Sequence, residues 1–251
     1  MATGRVPATG QIVNDRGTLG TIHPNEIKYT RRAEPSGWLT VKLSGSGKLV
    51  SLCEYTRVAI IRRNNERTYF KIMDGYVSTG EEASLSRLNA ELYLNEMGPA
   101  GAALINVEYL GVPTEEASEF KGKLKQQWGS LIFNNENARV TLNSDWNGKF
   151  SAIPPGIHTI LAPDYSHKNI STQGYAQATP NMIGNDVWFP IGLNGSMSNS
   201  SRYIHVGHIS DGCVTVYELK KWAALYSYLI SHRAPGAAGK IIGKLIVKDS
   251  R

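Results

Sequence analysis

The sequence predicts a mainly β protein in two parts. A smaller β-rich module with one helix occupies residues 1–115, and a β-sandwich or barrel with one packed helix occupies residues 116–251. Three observations carry this. Between Gly37 and Val77, short runs of alternating apolar and polar residues are separated by turn residues, at a spacing that suits a small barrel or sandwich. A second set of such runs follows the segment Gly111-Val-Pro-Thr-Glu-Glu116, which reads as a linker. Helical periodicity recurs in only two stretches, one in each part.

The elements follow in order. Trp38-Leu-Thr-Val-Lys-Leu43 alternates as a half-buried strand does, and Lys48–Cys53 and Thr56–Ile61 continue the pattern. Asn64-Asn65 and Asp74-Gly75 mark turns, so Thr68–Ile72 and Tyr76-Val77 are the next two strands. Residues Glu81–Glu96 place Leu85, Leu88, Leu92 and Tyr93 at helical spacing, and Gly98-Pro99 stops that helix. Ala102–Tyr109 is one more strand before the linker. Gly129–Leu161 reads as successive strands ending in a Pro154-Pro155-Gly156 turn and another strand. Glu218–Arg233 gathers Leu219, Trp222, Leu225, Tyr226, Leu229 and Ile230 on one helical face, and Lys244–Lys248 is the last strand.

Composition narrows the function classes. A hydrophobic content of 41% is ordinary for a globular protein, and no run approaches the length of a membrane span. The formal charge of +6 is spread along the chain, with Arg31-Arg32, Arg62-Arg63 and Lys121/Lys123/Lys125 its densest spots. Nucleic-acid binding calls for a sharper basic stripe with interleaved aromatics, so no nucleic-acid partner is expected. The start MATGRVPATGQIVNDRG lacks an apolar core, so synthesis in the cytoplasm without a signal peptide is expected. The two cysteines, Cys53 and Cys213, lie far apart and form no disulfide framework. No H-x-x-x-H or C-x-x-C spacing suggests a metal, and none is expected.

The densest chemistry lies in Ser201–Val216, SRYIHVGHISDGCVTV, which reads as two short strands joined by a Ser-Asp-Gly turn in one hairpin. His205 stands eight residues before Cys213 and His208 five before it. A nucleophilic cysteine needs a base for its proton and backbone donors for the charge that develops on its target. Alternation puts Ile204 and Val206 on the core side and leaves His205 facing a groove, so His205 is the expected base. His208 falls on the other parity as a supporting residue. The backbone N–H groups of Gly212 and Cys213 would form an oxyanion hole, and Ser210 or Asp211 would orient the imidazole. The plainer reading is a buried thiol with two imidazoles nearby. Cys53 sits in an alternating strand and suits a core thiol. A papain-like pairing of Cys53 with His158 or His205 is disfavoured by its strand-like continuation, Glu54-Tyr-Thr-Arg57. His158 and His167 flank the turn at Ala162–Tyr165, with packing the default role for His158, while His23 and His232 read as surface residues.

From about Ser118 to Ser250 the order of elements resembles the L,D-transpeptidase (YkuD-like) family of peptidoglycan enzymes. Pro154-Pro155-Gly156-Ile157-His158-Thr159-Ile160 is similar to that family's strand-entry motif. Ser210-Asp211-Gly212-Cys213-Val214, after the His205 strand, is similar to its S-x-G-C-[IV] signature. The resemblance implies an L,D-transpeptidase-like β-sandwich or barrel with one packed helix. Its Cys213 would attack an amide of a peptidoglycan stem peptide with no cofactor, passing the acyl group to an amine or to water. It also implies action in the periplasm or cell wall. Short His-to-Cys spacings occur in divergent members that act as antibacterial effectors, which implies a secretion apparatus or an immunity protein as partner. The family has His where this chain has Asp211, and Arg where it has Thr215. Those two departures support a second reading, a catalytically inactive wall-binding protein on the same fold. A third is a cysteine amidase acting on another substrate.

Overall fold

The computed structural model describes residues 11–13, 19–34, 36–118, 122–167 and 169–249, with side chains from Glu26 onward. With 43% of it in strands and 13% in helices, the chain is mainly β. Among the described residues no helix is long and apolar enough to cross a membrane.

The first half is a curled sheet. It contains β1 (Gln11–Val13), β2 (Leu19–Thr30), β3 (Leu39–Leu43), β4 (Leu49–Leu52), β5 (Arg57–Arg63), β6 (Arg67–Ile72) and β7 (Glu82–Ser86). The helix α1 (Arg87–Tyr93) and the two-residue β8 (Leu94–Asn95) follow. The strands lie in the order β1-β2-β5-β6-β7-β3-β4, with β8 paired to β2. In β3 the alternation of Leu39, Val41 and Leu43 against Thr40 and Lys42 appears directly as alternating burial. Those three join Leu52, Val58, Ile60, Phe70, Ile72, Ala83 and Leu85 in one apolar core.

The expected helix over Glu81–Glu96 is shorter than its periodicity suggests. Glu82–Ser86 continues the sheet as β7, burying Ala83 and Leu85. The Ser86 hydroxyl then accepts the Asn89 N–H and caps α1. Leu88 and Leu92, read as core positions, are exposed. Tyr76-Val77, read as a strand, is a bend.

The second half contains β9 (Ala103–Tyr109), β10 (Thr114–Ser118), β11 (Gly122–Phe133), β12 (Glu136–Asn143) and β13 (Gly156–Leu161). After them come α2 (Gln173–Ala178), β14 (Phe189–Gly192), β15 (Arg202–Val206), β16 (Val214–Val216), α3 (Trp222–Ile230) and β17 (Ile241–Lys248). The sheet runs β10-β11-β12-β16-β15-β14-β13-β17-β9, and β9 also pairs with β11. That last pairing closes an eight-strand barrel and leaves β10 outside it. Its core joins Ile105, Leu131, Val140, Ile160, Phe189, Ile204, Val214 and Leu245 to Trp222, Leu225, Tyr226 and Leu229 of α3. The helix starts at Trp222 rather than Glu218, with Leu219 in a short turn before it, and the other five residues of the predicted face are buried.

Two expectations about organisation change. β9 was assigned to the first part, but it is hydrogen-bonded between β17 and β11 and belongs to the barrel. The predicted linker ends inside β10, which forms an antiparallel pair with β11. The halves also share a core rather than standing side by side. Trp38 and Cys53, flanking strands of the first half, belong to the barrel's apolar cluster. Across this seam Trp38 Nε1 donates to the Asp186 carbonyl, Tyr226 Oη to Glu54, and Arg233 Nη2 to the Glu54 carbonyl at 3.0 Å.

Candidate functional site

β15 and β16 are neighbours in the barrel, but they run parallel, not as a hairpin. Ile204 pairs with Val214, His205 with Thr215 and Val206 with Val216. The segment 207–213 is thus a return loop that carries the chain back to the start of β15. The Ser-Asp-Gly sequence that looked like a hairpin turn lies within that loop. Parity along both strands then decides what faces what. Ile204, Val206, Val214 and Val216 enter the core, while His205 and Thr215 share the opposite face.

His205 is held at both nitrogens. Nδ1 lies 3.0 Å from the Val206 carbonyl, which can only accept, so this nitrogen carries the proton. Nε2 then accepts from the Thr215 hydroxyl at 3.0 Å. The ring is not open to a groove: it is buried and stacks on Trp188 at 4.1 Å between centroids. Trp188 stacks in turn on His167 at 4.4 Å, and His167 on Tyr165 at 4.2 Å. Burial drives the His205 imidazole down to about 4, with the charge of His167 acting the same way, against its bond to Val206.

Cys213 immediately precedes β16, two residues from Thr215, and is 9% exposed. Burial pushes its thiol up to about 11. The Tyr203 N–H and the Arg202 guanidinium pull it down, and the Asp211 carboxylate pushes it up. Thr215, rather than Cys213, is the hydrogen-bond partner at His205 Nε2. With the imidazole near 4 and the thiol near 11, both groups are uncharged around neutral pH.

The return loop is fixed by a buried polar network. Ser210 N donates to Ser144 Oγ at 2.8 Å, and Ser144 N donates back to the Ser210 carbonyl at 2.7 Å. Ser144 and Thr141 hydroxyls both donate to Gln126 Oε1, whose amide Nε2 donates to the His208 carbonyl at 2.9 Å. The Ser210 hydroxyl donates to the Cys213 carbonyl at 2.8 Å. Ser210 therefore braces the turn, not the imidazole. Asp211 is likewise turned elsewhere: its carboxylate accepts the Phe150 N–H and its carbonyl accepts Arg202 Nη1. His208 stacks on Tyr217 at 4.1 Å, and its N–H donates to the Tyr175 hydroxyl.

Gly212 adopts a left-handed φ of +79°, and a Cβ there would lie 1.7 Å from Arg202 Nη1 and 2.3 Å from the Ser151 carbonyl. No other residue fits this position. Arg202 is the site residue that sequence reasoning missed. Its buried guanidinium packs under Gly212, lies 4.5 Å over the Phe150 ring, and has an Nε without a hydrogen-bond partner among the described residues. The arginine beside the thiol comes from the adjacent strand, β15.

The other histidines have structural surroundings. His158 is fully buried, with Nε2 donating to the Pro154 carbonyl and Nδ1 accepting the Asn194 N–H, which latches the Pro-Pro-Gly turn. His232 is half-buried, its Nδ1 against the Tyr228 carbonyl. The His23 side chain lies outside the described residues. Among the described residues no three His, Cys, Asp or Glu side chains gather as for a metal. The chain matches no protein-family model, no curated protein and no solved structure.

Proposed function

We propose that this protein is a cysteine-dependent enzyme that modifies peptidoglycan stem peptides by acyl-enzyme chemistry, on an L,D-transpeptidase-like fold. The observation that supports it most is the placement of Cys213 two residues before Thr215, whose hydroxyl bonds Nε2 of an imidazole that the Val206 carbonyl holds in one tautomer. The Cys213 proton passes to His205 Nε2 as the sulfur attacks the amide carbonyl. The Tyr203 N–H and the Arg202 guanidinium stabilise negative charge at the sulfur. Collapse of the tetrahedral adduct breaks the C–N bond, the amine leaves with the proton from His205, and a thioester remains. An amine then takes the acyl group in crosslinking or amino-acid exchange, or water takes it in carboxypeptidase cleavage. For that first transfer His205 Nε2 must exchange its Thr215 partner for the thiol, a step that substrate binding has to drive.

The reaction takes place in the periplasm or cell wall, where the substrate is, after specialised secretion. As an antibacterial effector it would have an immunity protein as partner. The decisive experiment incubates the protein with purified muropeptides and reads a lost or exchanged terminal residue by mass spectrometry. Unchanged muropeptides, with a Cys213 inert to alkylation near neutral pH, would reject the enzyme. The second reading, a silent wall-binding protein, is favoured by one observation: the resting thiol and imidazole are both neutral, and Thr215 occupies Nε2.

A further inference from the structure

A groove of about 610 Å³ opens on the barrel beside the loop that covers Gly212. Its wall is the segment 145–155 between β12 and β13, and Tyr109 of β9, Gln127 of β11 and Asn143 of β12 complete it. Tyr109, Trp146 and Phe150 supply aromatic surface, and Asn143, Asp145 and Lys149 supply polar groups.

Three features define what fits. Trp146 is 46% exposed although its Nε1 is already satisfied by the Lys125 carbonyl at 2.8 Å. What it offers a ligand is therefore the apolar ring face, not its donor. Lys125 Nζ sits 4.7 Å from the ring centroid and keeps the indole in place. Second, Asn143 is 5% exposed, yet its Oδ1 has no hydrogen-bond partner among the described residues. A buried amide oxygen without a donor is costly, and a hydroxyl or amide N–H entering the groove satisfies it. Third, the charged residues that line the groove are one acid and one base, Asp145 and Lys149, while Lys125 and Arg202 lie against its Trp146 and Phe150 rings. The lining itself therefore offers a polyanion no row of cations to track. Pro154 and Pro155 at the rim bring no N–H groups, so that part of the rim cannot pair with an extended peptide as a strand edge does.

We propose that this groove binds a neutral oligosaccharide, with one sugar ring stacked on Trp146 and a hydroxyl or acetamido N–H donated to Asn143. An aromatic platform with polar side chains beside it suits a ring whose faces are apolar and whose edge carries hydroxyls. Ser151, which lines the groove, also presents its carbonyl to Gly212, so a bound sugar lies against the cover of the Cys213 loop. The inference goes beyond the acyl-transfer reading and does not rest on it, since neither Cys213 nor His205 lines the groove.

The test titrates the full chain calorimetrically with oligomers of N-acetylglucosamine and, separately, with oligomers of glucose, each up to millimolar concentration. Saturable binding of either supports the proposal; binding of the first alone assigns the acetamido group as the donor to Asn143. Trp146→Ala, at an exposed turn, should weaken binding on the order of tenfold. Asn143→Ala should weaken it by less, with the fold of both variants verified by thermal melting. Cys213→Ala should bind as the wild type does, so a failed muropeptide reaction with intact sugar binding removes only the enzyme reading. Binding of neither sugar overturns the proposal, as does Trp146-independent binding, or Trp146-dependent binding of a sugar-free stem peptide in their place.

Discussion

Cys53 and Cys213 share a residue type, deep burial and a neighbouring arginine, but the molecule holds them differently. Cys53 lies in the seam between the two halves and is counted in the barrel's apolar cluster. Its sulfur is 3.6 Å from Thr56 Oγ1 and 3.9 Å from Arg233 Nη2, and the same guanidinium ties down the Glu54, Ile230 and His232 carbonyls. That arginine is occupied with structure. Cys213 belongs to neither apolar cluster. It ends a return loop between parallel strands, on the side where Thr215 and His205 meet, and its arginine keeps an unpartnered Nε. Burial is the main cause that raises both thiols. The difference is in what surrounds them: Cys53 has a neighbourhood whose hydrogen bonds close on the backbone, whereas Cys213 has a guanidinium with a free Nε among the described residues and, two residues on, a threonine bonded to an imidazole.

That contrast breaks most sharply on substitution of each thiol. Cys213→Ala should abolish turnover of muropeptides while leaving the melting curve near that of the wild type. Cys53→Ala should keep turnover and instead lose about 1–2 kcal/mol of stability through the small void it leaves. Turnover by the Cys213→Ala protein would end the assignment of that thiol as nucleophile. In a bacterium, an exported copy of the chain should cause swelling or lysis, and an exported Cys213→Ala copy should not. Equal toxicity of exported and cytoplasmic copies would move the target away from the cell wall.

His205 of β15 and His208 of the return loop sharpen the comparison next. His205→Ala should lower the rate on the order of 10²–10⁴-fold, the range for loss of a general base. His208→Ala removes a ring stacked on Tyr217 and should show mainly in stability. A larger rate loss in His208→Ala would reassign the base.

How legible these features were in the sequence depends on the range of the contact. Strand residues such as Leu39, Val41 and Leu43 announce themselves, because alternation follows from the pleat of a single strand. The α3 face was equally visible, since helical spacing is also local. Closure of the barrel was not: it depends on β9 meeting both β11 and β17, and no local pattern encodes a partner that far along the chain. The parity that put His205 opposite Ile204 and Val206 was readable, but the parallel register that sets Thr215 beside it was not. A hairpin and a short return loop share the same Ser-Asp-Gly turn chemistry. Arg202, Trp188 and the Gln126–Ser144 network were missed for the same reason. Their roles arise between strands, and a lone polar residue at a strand end looks like solvent-facing surface.

Proton uptake separates the buried imidazole from an ordinary one by a smaller amount. The folded His205 value of about 4 lies below the ordinary 6.5, so the unfolded chain binds the proton first. Its contribution to stability is complete above about pH 6.5, falls as the pH drops toward about 4, and is flat below that. The total is about 3 kcal/mol. Denaturant unfolding across this window should show that loss in the wild type relative to His205→Gln. His158 is depressed by burial too, so the comparison between the two proteins is the informative quantity. Parallel curves would mean that His205 is solvated in solution.

The smallest effect tests the threonine that stands beside each cysteine. Thr215 donates to His205 Nε2, and Thr56 donates to the Cys53 carbonyl at 2.9 Å. Valine keeps the shape of either side chain and removes the hydroxyl. At Thr56 the lost partner is a carbonyl within a seam that Thr30 Oγ1 also donates to, so that oxygen keeps one bond. At Thr215 the lost partner is a buried ring nitrogen whose other neighbours are aromatic faces, so it is left bare. Thr215→Val should therefore cost about 1–3 kcal/mol and Thr56→Val less, with Thr215→Ser recovering most of the loss. A bare Nε2 is also an acceptor free to turn to another donor. If Cys213 becomes that donor, alkylation of its thiol should speed up in Thr215→Val and stay at the wild-type rate in Thr215→Ser. Equal alkylation rates in all three proteins would show that Thr215 only packs the ring, and that its bond does not hold the thiol and the base apart.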